Sequence, residues 1–394
     1  MFRDLTDGPL GYAPPWEAWP LATRLDALRR GRPRIAWLYE TPDTSTFRYR
    51  CLNPTATLAA TRPDIGAAWF GLDDLPALMD EVSGLHALVI CRVRYDARLA
   101  RLVTRAKAAG VRVLFDCDDL VFDIGYIHLI LDTLDQDVGN RDVWDDWYAH
   151  VGRKETLARL CDGGITTNRF IADRLGRIVA NGLESVGIVP NYFDREQEEA
   201  SRALLAAKRA RGFRGDGRVT IGYFSGSPTH NRDFAVAAPA LARLLAADPA
   251  VDLRVVGFLD STGPLRHLAS RVEIIPLQDY INLQRVIAEV EINIAPLQDN
   301  SFTNCKSELK FFEAAAVGTW TVATPTYTFR HAIRDGETGL LARADQWDDA
   351  LAASVARVRD PERYAPVAEA AAAEVYARYG WDRQTACIEA ALGL

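Results

Sequence analysis

The sequence predicts an α/β protein built of two doubly wound domains, each a parallel sheet with helices on both faces, facing each other across a cleft. Three observations point there. Short apolar runs of strand length alternate with longer amphipathic ones, the pattern of βαβ units in parallel sheets. The alternation runs through twice, with a charged helical stretch between the two passes. Finally, 394 residues, 48% hydrophobic and 25% charged, suffice for two globular domains of ordinary size.

In chain order, "RIAWLY" (34–39), "GAAWF" (66–70), "ALVIC" (87–91), "VRVLF" (111–115), "GITT" (164–167) and "VGIV" (186–189) read as buried strands, most of them separated by helical segments such as "YDARLARLVTRAKAAG" (95–110). "VPNYFDREQEEASRALLAAKRARGFRGDG" (189–217) is charged and helical with glycines at its end, so a boundary is placed near residue 195. "RVTIGYFSG", "VDLRVVGF", "RVEIIP", "EINIAP" and "WTVAT" then repeat the pattern. The expected division is 1–195, 196–378 and a closing segment 379–394, "YGWDRQTACIEAALGL", which reads as a helix with Cys387, Ala391 and Leu394 on one side.

Composition narrows the function classes. A formal charge of -7 argues against a general nucleic-acid binder, which needs clustered cations to displace counterions from phosphates. The six cysteines, Cys51, Cys91, Cys117, Cys161, Cys305 and Cys387, are widely spaced, with no C-x-x-C and no paired histidines, so neither a zinc site nor a disulfide framework is expected. A reducing cytoplasm fits best. The start, "MFRDLTDGPLGYAPPWEAWP", has no signal-peptide core, and no apolar run approaches the ~18 residues of a membrane span, so membrane contact is expected to be peripheral.

In doubly wound folds, ligands sit beyond the carboxyl ends of the strands, so function is sought in the loops there. "IGYFSGSPTHNRDF" (221–234) carries the small run Ser225, Gly226, Ser227, with a helix starting near Asn231 and Arg232 in its first turn. Such a turn lets backbone N–H groups approach a phosphate, and it is equally a plain strand-to-helix connection. "NCKSELKFFEAAAVGTWTVAT" (304–324) places Lys306, Lys310 and Glu313 at i, i+4 and i+7, one face of a helix, either a solvated face or a ligand site. In the first domain Arg48 and Arg50 follow the first strand, and Arg92 and Arg94 follow "ALVIC"; they are candidates for an anionic partner or for solvated surface. No glycine fingerprint with an acidic residue ~20 positions on follows the first strand of either domain, so a dinucleotide oxidoreductase fits poorly. Asp116, Asp118 and Asp119 in "FDCDDLVFD" fit a D-x-D metal site, a cleft wall or simple turn capping; His128 is a candidate base or a structural histidine.

Taken together, "IGYFSGSPTHNRDF", "INIAPLQDNSFTNCKSELKFFEAAAVGTWTVATPTYTFRHAIRDGETGLL" and the closing "YGWDRQTACIEAALGL" resemble the C-terminal half of the family 4 glycosyltransferases, most specifically over residues 218–345. "TFRYR" and "VLFDCDDLVFD" resemble bacterial members associated with cell-surface polysaccharides such as lipopolysaccharide. The resemblance implies the two-domain GT-B fold, a nucleotide-sugar donor, transfer with retention to a glycan or lipid-linked acceptor, and no metal or other cofactor. It also implies a terminal helix that crosses back to the first domain. Two glutamates eight positions apart hold donor ribose and donor sugar in that family; Glu313 matches the ribose position, while Cys305 stands where the other carboxylate is expected, with Asp299, Asn304 or Glu308 as candidate substitutes. Of the family's basic pair, Ser227 falls at the arginine and Arg232 near the lysine, so Arg232, Lys306 and Lys310 are expected at the diphosphate. Ser225, Gly226, Ser227 and Asn231 would frame that turn, with Tyr280 and the Glu337, Thr338, Gly339 loop near the nucleotide. His128 is the catalytic histidine candidate, and Arg48, Arg50, Arg92, Asp118 and Asp119 form the acceptor side. A nucleotide-sugar 2-epimerase and a catalytically silent binding module of the same architecture remain as alternatives.

Overall fold

The computed structural model describes residues 1–226, 231–257 and 263–394. Two six-stranded sheets carry the fold, and every strand pair in both is parallel. The first contains β1 (Arg34–Leu38), β2 (Gly66–Phe70), β3 (Ala87–Cys91), β4 (Arg112–Asp116), β5 (Gly163–Thr166) and β6 (Val186–Ile188), in the order β2-β1-β3-β4-β5-β6. The second contains β7 (Val219–Ser225), β8 (Val251–Gly257), β9 (Val272–Ile275), β10 (Ile292–Ala295), β11 (Trp320–Ala323) and β12 (Leu340–Leu341), in the order β12-β11-β10-β7-β8-β9. Chain direction across each sheet therefore reverses at one place, between β1 and β3 in the first and between β7 and β10 in the second. Loops diverge at such points and leave a crevice.

The strands follow from their composition. Every residue of "ALVIC" in β3 is buried, because helices cover both faces. The helix Ala97–Ala108 shows how those covers form: Asp96 caps it by accepting from the N–H groups of Arg98 and Leu99, and Leu99, Leu102, Val103 and Ala106 make its buried stripe. Its arginines and lysine lie on the other side, and Gly110 follows with φ +74°, a conformation that favours glycine.

Chain segments also cross between the two sheets. Near the start, the Phe2 N–H donates to the Glu289 carbonyl at 2.8 Å and the Leu10 N–H to Asn282 Oδ1 at 2.8 Å, so the first residues lie along the second sheet's unit. At the other end, the helix Thr385–Leu392 packs on β6, its Thr385 hydroxyl 2.9 Å from that of Thr61. The loop after β10 crosses too. Phe302 and Cys305 are fully buried in the first sheet's core, Asn300 Nδ2 donates to Thr133 Oγ1 at 3.0 Å, and Asn168 Nδ2 donates to the Cys305 carbonyl at 3.3 Å. Burial pushes the Cys305 thiol up, so it sits there as a small apolar group.

The contact of the terminal helix with β6 depends on Gly187, where an added Cβ would lie 2.4 Å from the Cβ of Ala391. Gly187→Val is therefore expected to push the helix off its strand at a cost of about 1–3 kcal/mol and to lower the melting temperature by several degrees in a calorimetric scan. An unchanged melting temperature would contradict this packing.

Candidate functional site

A cavity of about 360 Å³ lies where the carboxyl ends of the two sheets meet, at both points of reversal. On the second-sheet side, β7 ends at Ser225 and the chain turns at Gly226, whose missing Cβ would face open space. Backbone groups there are open to close approach by a ligand. Ser227, assigned to the same turn, lies outside the described residues.

Lys306, Lys310 and Glu313 all line the cavity, but they do not share one helix. A 3-10 turn at Thr303–Cys305 leads into extended backbone at Lys306, and the helix begins only at Leu309, so Lys310 and Glu313 stand on the helix Leu309–Ala316 while Lys306 precedes it. Among the described residues no carboxylate comes within salt-bridge distance of Lys310; its ammonium stands 5.0 Å from the centre of the Tyr223 ring. Burial pushes its pKa down to about 8; Asp233 opposes the shift, Lys306 adds to it and Glu313 opposes it. Lys306 Nζ pairs with Asp119 at 3.4 Å, across the two units.

Glu313 is 4% exposed and is held from both units. Its Oε1 accepts from the Tyr49 hydroxyl at 2.6 Å and from Gln197 Nε2 at 3.2 Å, with the Arg48 guanidinium 3.9 Å away. Burial raises its pKa, against Arg48 and these two donors. Arg48 is stacked between the rings of Tyr49 and Tyr280 at 4.0 and 4.1 Å, and donates to Gln197 Oε1 at 2.8 Å. The elements explain the convergence. Residues Arg48–Leu52 form a short π-helix, all five buried, which turns successive side chains of "RYRCL" into the protein.

Several expected site residues lie elsewhere. Arg48 does line the cavity, but beside Glu313 and Tyr280 on its second-unit side. Arg50 is fully buried and forks onto Asp116 at 2.8 and 3.0 Å, with a further bond to the Val189 carbonyl at 2.6 Å, so it joins the π-helix to the end of β4 and stands outside the cavity lining. Arg232 pairs with Asp132 at 2.5 Å and Asp135 at 2.8 Å on the first unit, outside the cavity lining. His128 is exposed on the helix Ile127–Thr133 and also absent from the lining. Asn304 closes its own loop, donating to Asp299 and accepting from the Tyr327 N–H, and Glu308 is buried against the Tyr379 hydroxyl at 2.7 Å, so Asp299, Asn304 and Glu308, the candidates to substitute at Cys305, all stand outside the cavity lining. Glu337, Thr338 and Gly339 form a turn closed by the Arg334 N–H donating to Thr338 Oγ1, away from the lining, and Asn231 is outside it as well. Tyr280, Ser225, Gly226, Asp118 and Asp119 do line it. The carboxylates on the side away from Glu313 thus come from the first unit.

The aspartate triplet is occupied by cations: Asp116 by Arg50, Asp118 by Arg92 at 3.0 Å and Asp119 by Lys306. Among the described residues no group of three or more His, Cys, Asp or Glu side chains could hold a metal ion, and no helix is long and apolar enough to cross a membrane. Sequence reading missed Tyr49, Gln197 and Asn191, the last also in the lining. The available signal was the alternation in "TFRYR", in which a tyrosine stands between the two arginines.

Residues 218–360 match the family described as "Glycosyl transferases group 1". No curated protein matches the chain. Among solved structures, the chain is similar to HepE from Anabaena in complex with UDP, at 14% identity and a TM-score of 0.59 over 91% of this chain and 100% of that one. It is similar as well to sucrose-phosphate synthase from Thermosynechococcus elongatus, at 15% identity and a TM-score of 0.58 over 90% and 96%, and to a glycosyltransferase from Rickettsia africae, at 12% and 0.59 over 91% and 98%. The two parallel sheets facing a cleft are the GT-B fold of these glycosyltransferases.

Lys310 makes the cavity's affinity for anions depend on pH. Its ammonium is the form that attracts an anion, and its lowered pKa means that the charge is lost as pH rises through about 8. Sulfate stays a dianion throughout this range, so calorimetric titration should show its binding weaken as the pH passes that value. Lys310→Met should bind sulfate more weakly and with a flatter profile; an unchanged slope in the variant would assign the pH dependence elsewhere.

Proposed function

We propose that the protein is a glycosyltransferase that moves a sugar from a nucleotide-sugar donor to a glycan or lipid-linked acceptor, with retention of anomeric configuration. The observation that carries this reading is the placement of one buried carboxylate, Glu313, and two cations, Lys306 and Lys310, around a cavity bounded by the open turn at Gly226. The match of residues 218–360 to group 1 glycosyltransferases supports it, as do HepE structures in complex with UDP and with UDP-glucose.

In this reading Glu313 accepts hydrogen bonds from the ribose hydroxyls, and Tyr49, Gln197 and Arg48 hold its carboxylate in place for them. The diphosphate lies between the Gly226 backbone and the two lysines. As the bond from sugar to diphosphate breaks, positive charge grows on the sugar ring and negative charge on the leaving oxygen, so cations already fixed beside that oxygen lower the barrier. Lys306 is paired with Asp119 at 3.4 Å and would exchange this partner for the diphosphate, which frees Asp119, on the cavity wall, for a sugar hydroxyl. No metal is required by this arrangement, since lysines supply the charge. The reaction would take place in the cytoplasm, with any membrane contact peripheral and made for a lipid-linked acceptor.

The two charged residues should fail differently. Glu313→Gln removes a charged acceptor and should weaken nucleotide binding by roughly ten- to hundredfold, since a hydrogen bond to a charged group contributes ~1.5–3 kcal/mol. Lys306→Ala removes charge stabilisation that grows during cleavage and should lower kcat by a factor on the order of 10². Calorimetry and steady-state rates on the folded variants check both, and near wild-type values for the pair would refute the assignment. Turnover is further expected to survive EDTA; loss of activity that manganese restores would contradict the metal-independent mechanism.

A further inference from the structure

A second group of cations lies on the first unit, behind the wall that carries Asp118. Arg92 follows β3 with φ +54°, a conformation uncommon for a residue other than glycine and most often kept at functional positions. Its Nη1 donates to Asp118 Oδ1 at 3.0 Å and to Thr46 Oγ1 at 2.9 Å. Two residues on, Arg94 is about half exposed and forks onto Glu40 at 3.0 and 3.4 Å. Facing them is the helix Arg141–Leu160, tied to the same loop where Arg153 Nε donates to the Tyr95 carbonyl at 2.7 Å. It brings His150 and Lys154, one turn apart, with Lys154 Nζ 2.6 Å from His150 Nε2.

Lys154 is the unusual member. It is 3% exposed, and among the described residues no carboxylate lies within salt-bridge distance of it; its hydrogen-bond partner is an imidazole nitrogen. Burial first, then the charges of Arg92 and Arg94, push its ammonium down to about 8, and burial, then Lys154 and the same two arginines, push His150 down to about 4. At neutral pH Lys154 therefore donates to a neutral His150, whose other ring nitrogen carries a donor proton. Three cations, Arg92, Arg94 and Lys154, are set against two carboxylates, Asp118 and Glu40, in a partly buried place where uncompensated charge is costly. An anion would balance it.

The position says which anion. Thr44, Ser45 and Asp118 line the cavity, and Arg92 touches both Asp118 and Thr46, so the cluster sits directly behind the first-unit wall of the cavity. The cations assigned to the donor diphosphate, Lys306 and Lys310, follow β10 on the second sheet's side. We propose that Arg92, Arg94, His150 and Lys154 form a binding site for a phosphate group on the acceptor, so that the substrate receiving the sugar is a phosphorylated one. This inference rests on the glycosyltransferase reading and adds the acceptor's chemical class to it. The planar forks of Arg92 and Arg94 suit a phosphate's oxygens, and an incoming phosphate would take over donors now turned to Asp118 and Glu40.

The test uses the full chain. UDP is titrated first, which examines the reading on which the site depends; failure to bind UDP would remove that reading. With UDP then held in excess, so that the donor's anion site is filled, calorimetric titrations compare glucose 6-phosphate with glucose, and farnesyl phosphate with farnesol in the same detergent. At least one phosphorylated probe should bind tenfold or more tightly than its neutral counterpart; glucose 6-phosphate alone would indicate a soluble phosphosugar acceptor and farnesyl phosphate alone a lipid phosphate. Arg94→Ser, at a half-exposed position that tolerates change, should lose at least tenfold in affinity for the phosphorylated probe. Arg98→Ser, which removes a nearby exposed arginine paired with Asp96, should lose none. Lys154→Met should lose affinity too, and Arg94→Ser keeps the test decisive if that variant does not fold. Equal binding of phosphorylated and neutral probes, or equal effects of Arg94→Ser and Arg98→Ser, would overturn the proposal.

Discussion

The arrangement of the cleft depends on one buried carboxylate. Glu313 lies on a helix of the second unit, and taking its charge out of water is costly unless it is paired and hydrogen-bonded. Two of the groups that satisfy it come from the other side of the cleft, the Tyr49 hydroxyl at 2.6 Å and the positive field of Arg48, while Gln197 Nε2, at 3.2 Å, stands on the helix Arg195–Ala210 of its own unit. Removing one member of such a buried set leaves the others short of partners and costs about 3–5 kcal/mol in comparable cases. The second unit's buried carboxylate is thus coupled to a π-helix of the first, and a change in how the units meet would change the pocket.

Other contacts reinforce the same closure. The loop after β10 buries Phe302 and Cys305 in the first sheet's core, which brings Lys306 to within 3.4 Å of Asp119. Arg232 holds Asp132 and Asp135 across the gap. These last pairs are largely exposed and each contributes at most ~1 kcal/mol, so they adjust the closure rather than cause it. The difference matters for the chemistry. An exposed pair can be exchanged for a ligand at small cost, whereas the buried set around Glu313 stays in place and presents its carboxylate in a fixed position.

The sheets were legible because parallel strands are buried on both faces and read as unbroken apolar runs, as "ALVIC" and "WTVAT" do. The loop after β7 was legible as well, since the strand runs into the small residues Ser225 and Gly226, whereas the strand order that makes it a reversal point was not. What the sequence hides is the direction in which a polar side chain points. Arg48, Arg50, Arg92 and Arg94 all follow strands of the first sheet, yet Arg50 turns inward to Asp116 and Arg48 is sandwiched between tyrosines, while only Arg92 and Arg94 stay near solvent. Helical spacing placed Lys306 on the helix of Lys310 and Glu313, but the turn at Thr303–Cys305 leads into extended backbone, and tertiary contacts carry all three to the cavity. Lys154 and His150 were invisible for the opposite reason. A lysine four residues from a histidine on a long helix reads as solvated surface until the helix is docked on β4.

In the proposed mechanism Glu313 and the two lysines divide the recognition of a nucleotide diphosphate between them. A crystal structure of the UDP complex tests it most directly. The account predicts ribose hydroxyls within hydrogen-bond distance of Glu313 and phosphate oxygens between the Gly226 backbone and the ammonium groups of Lys306 and Lys310. A nucleotide bound elsewhere, or bound in this cavity with its phosphates turned away from both lysines, would contradict it.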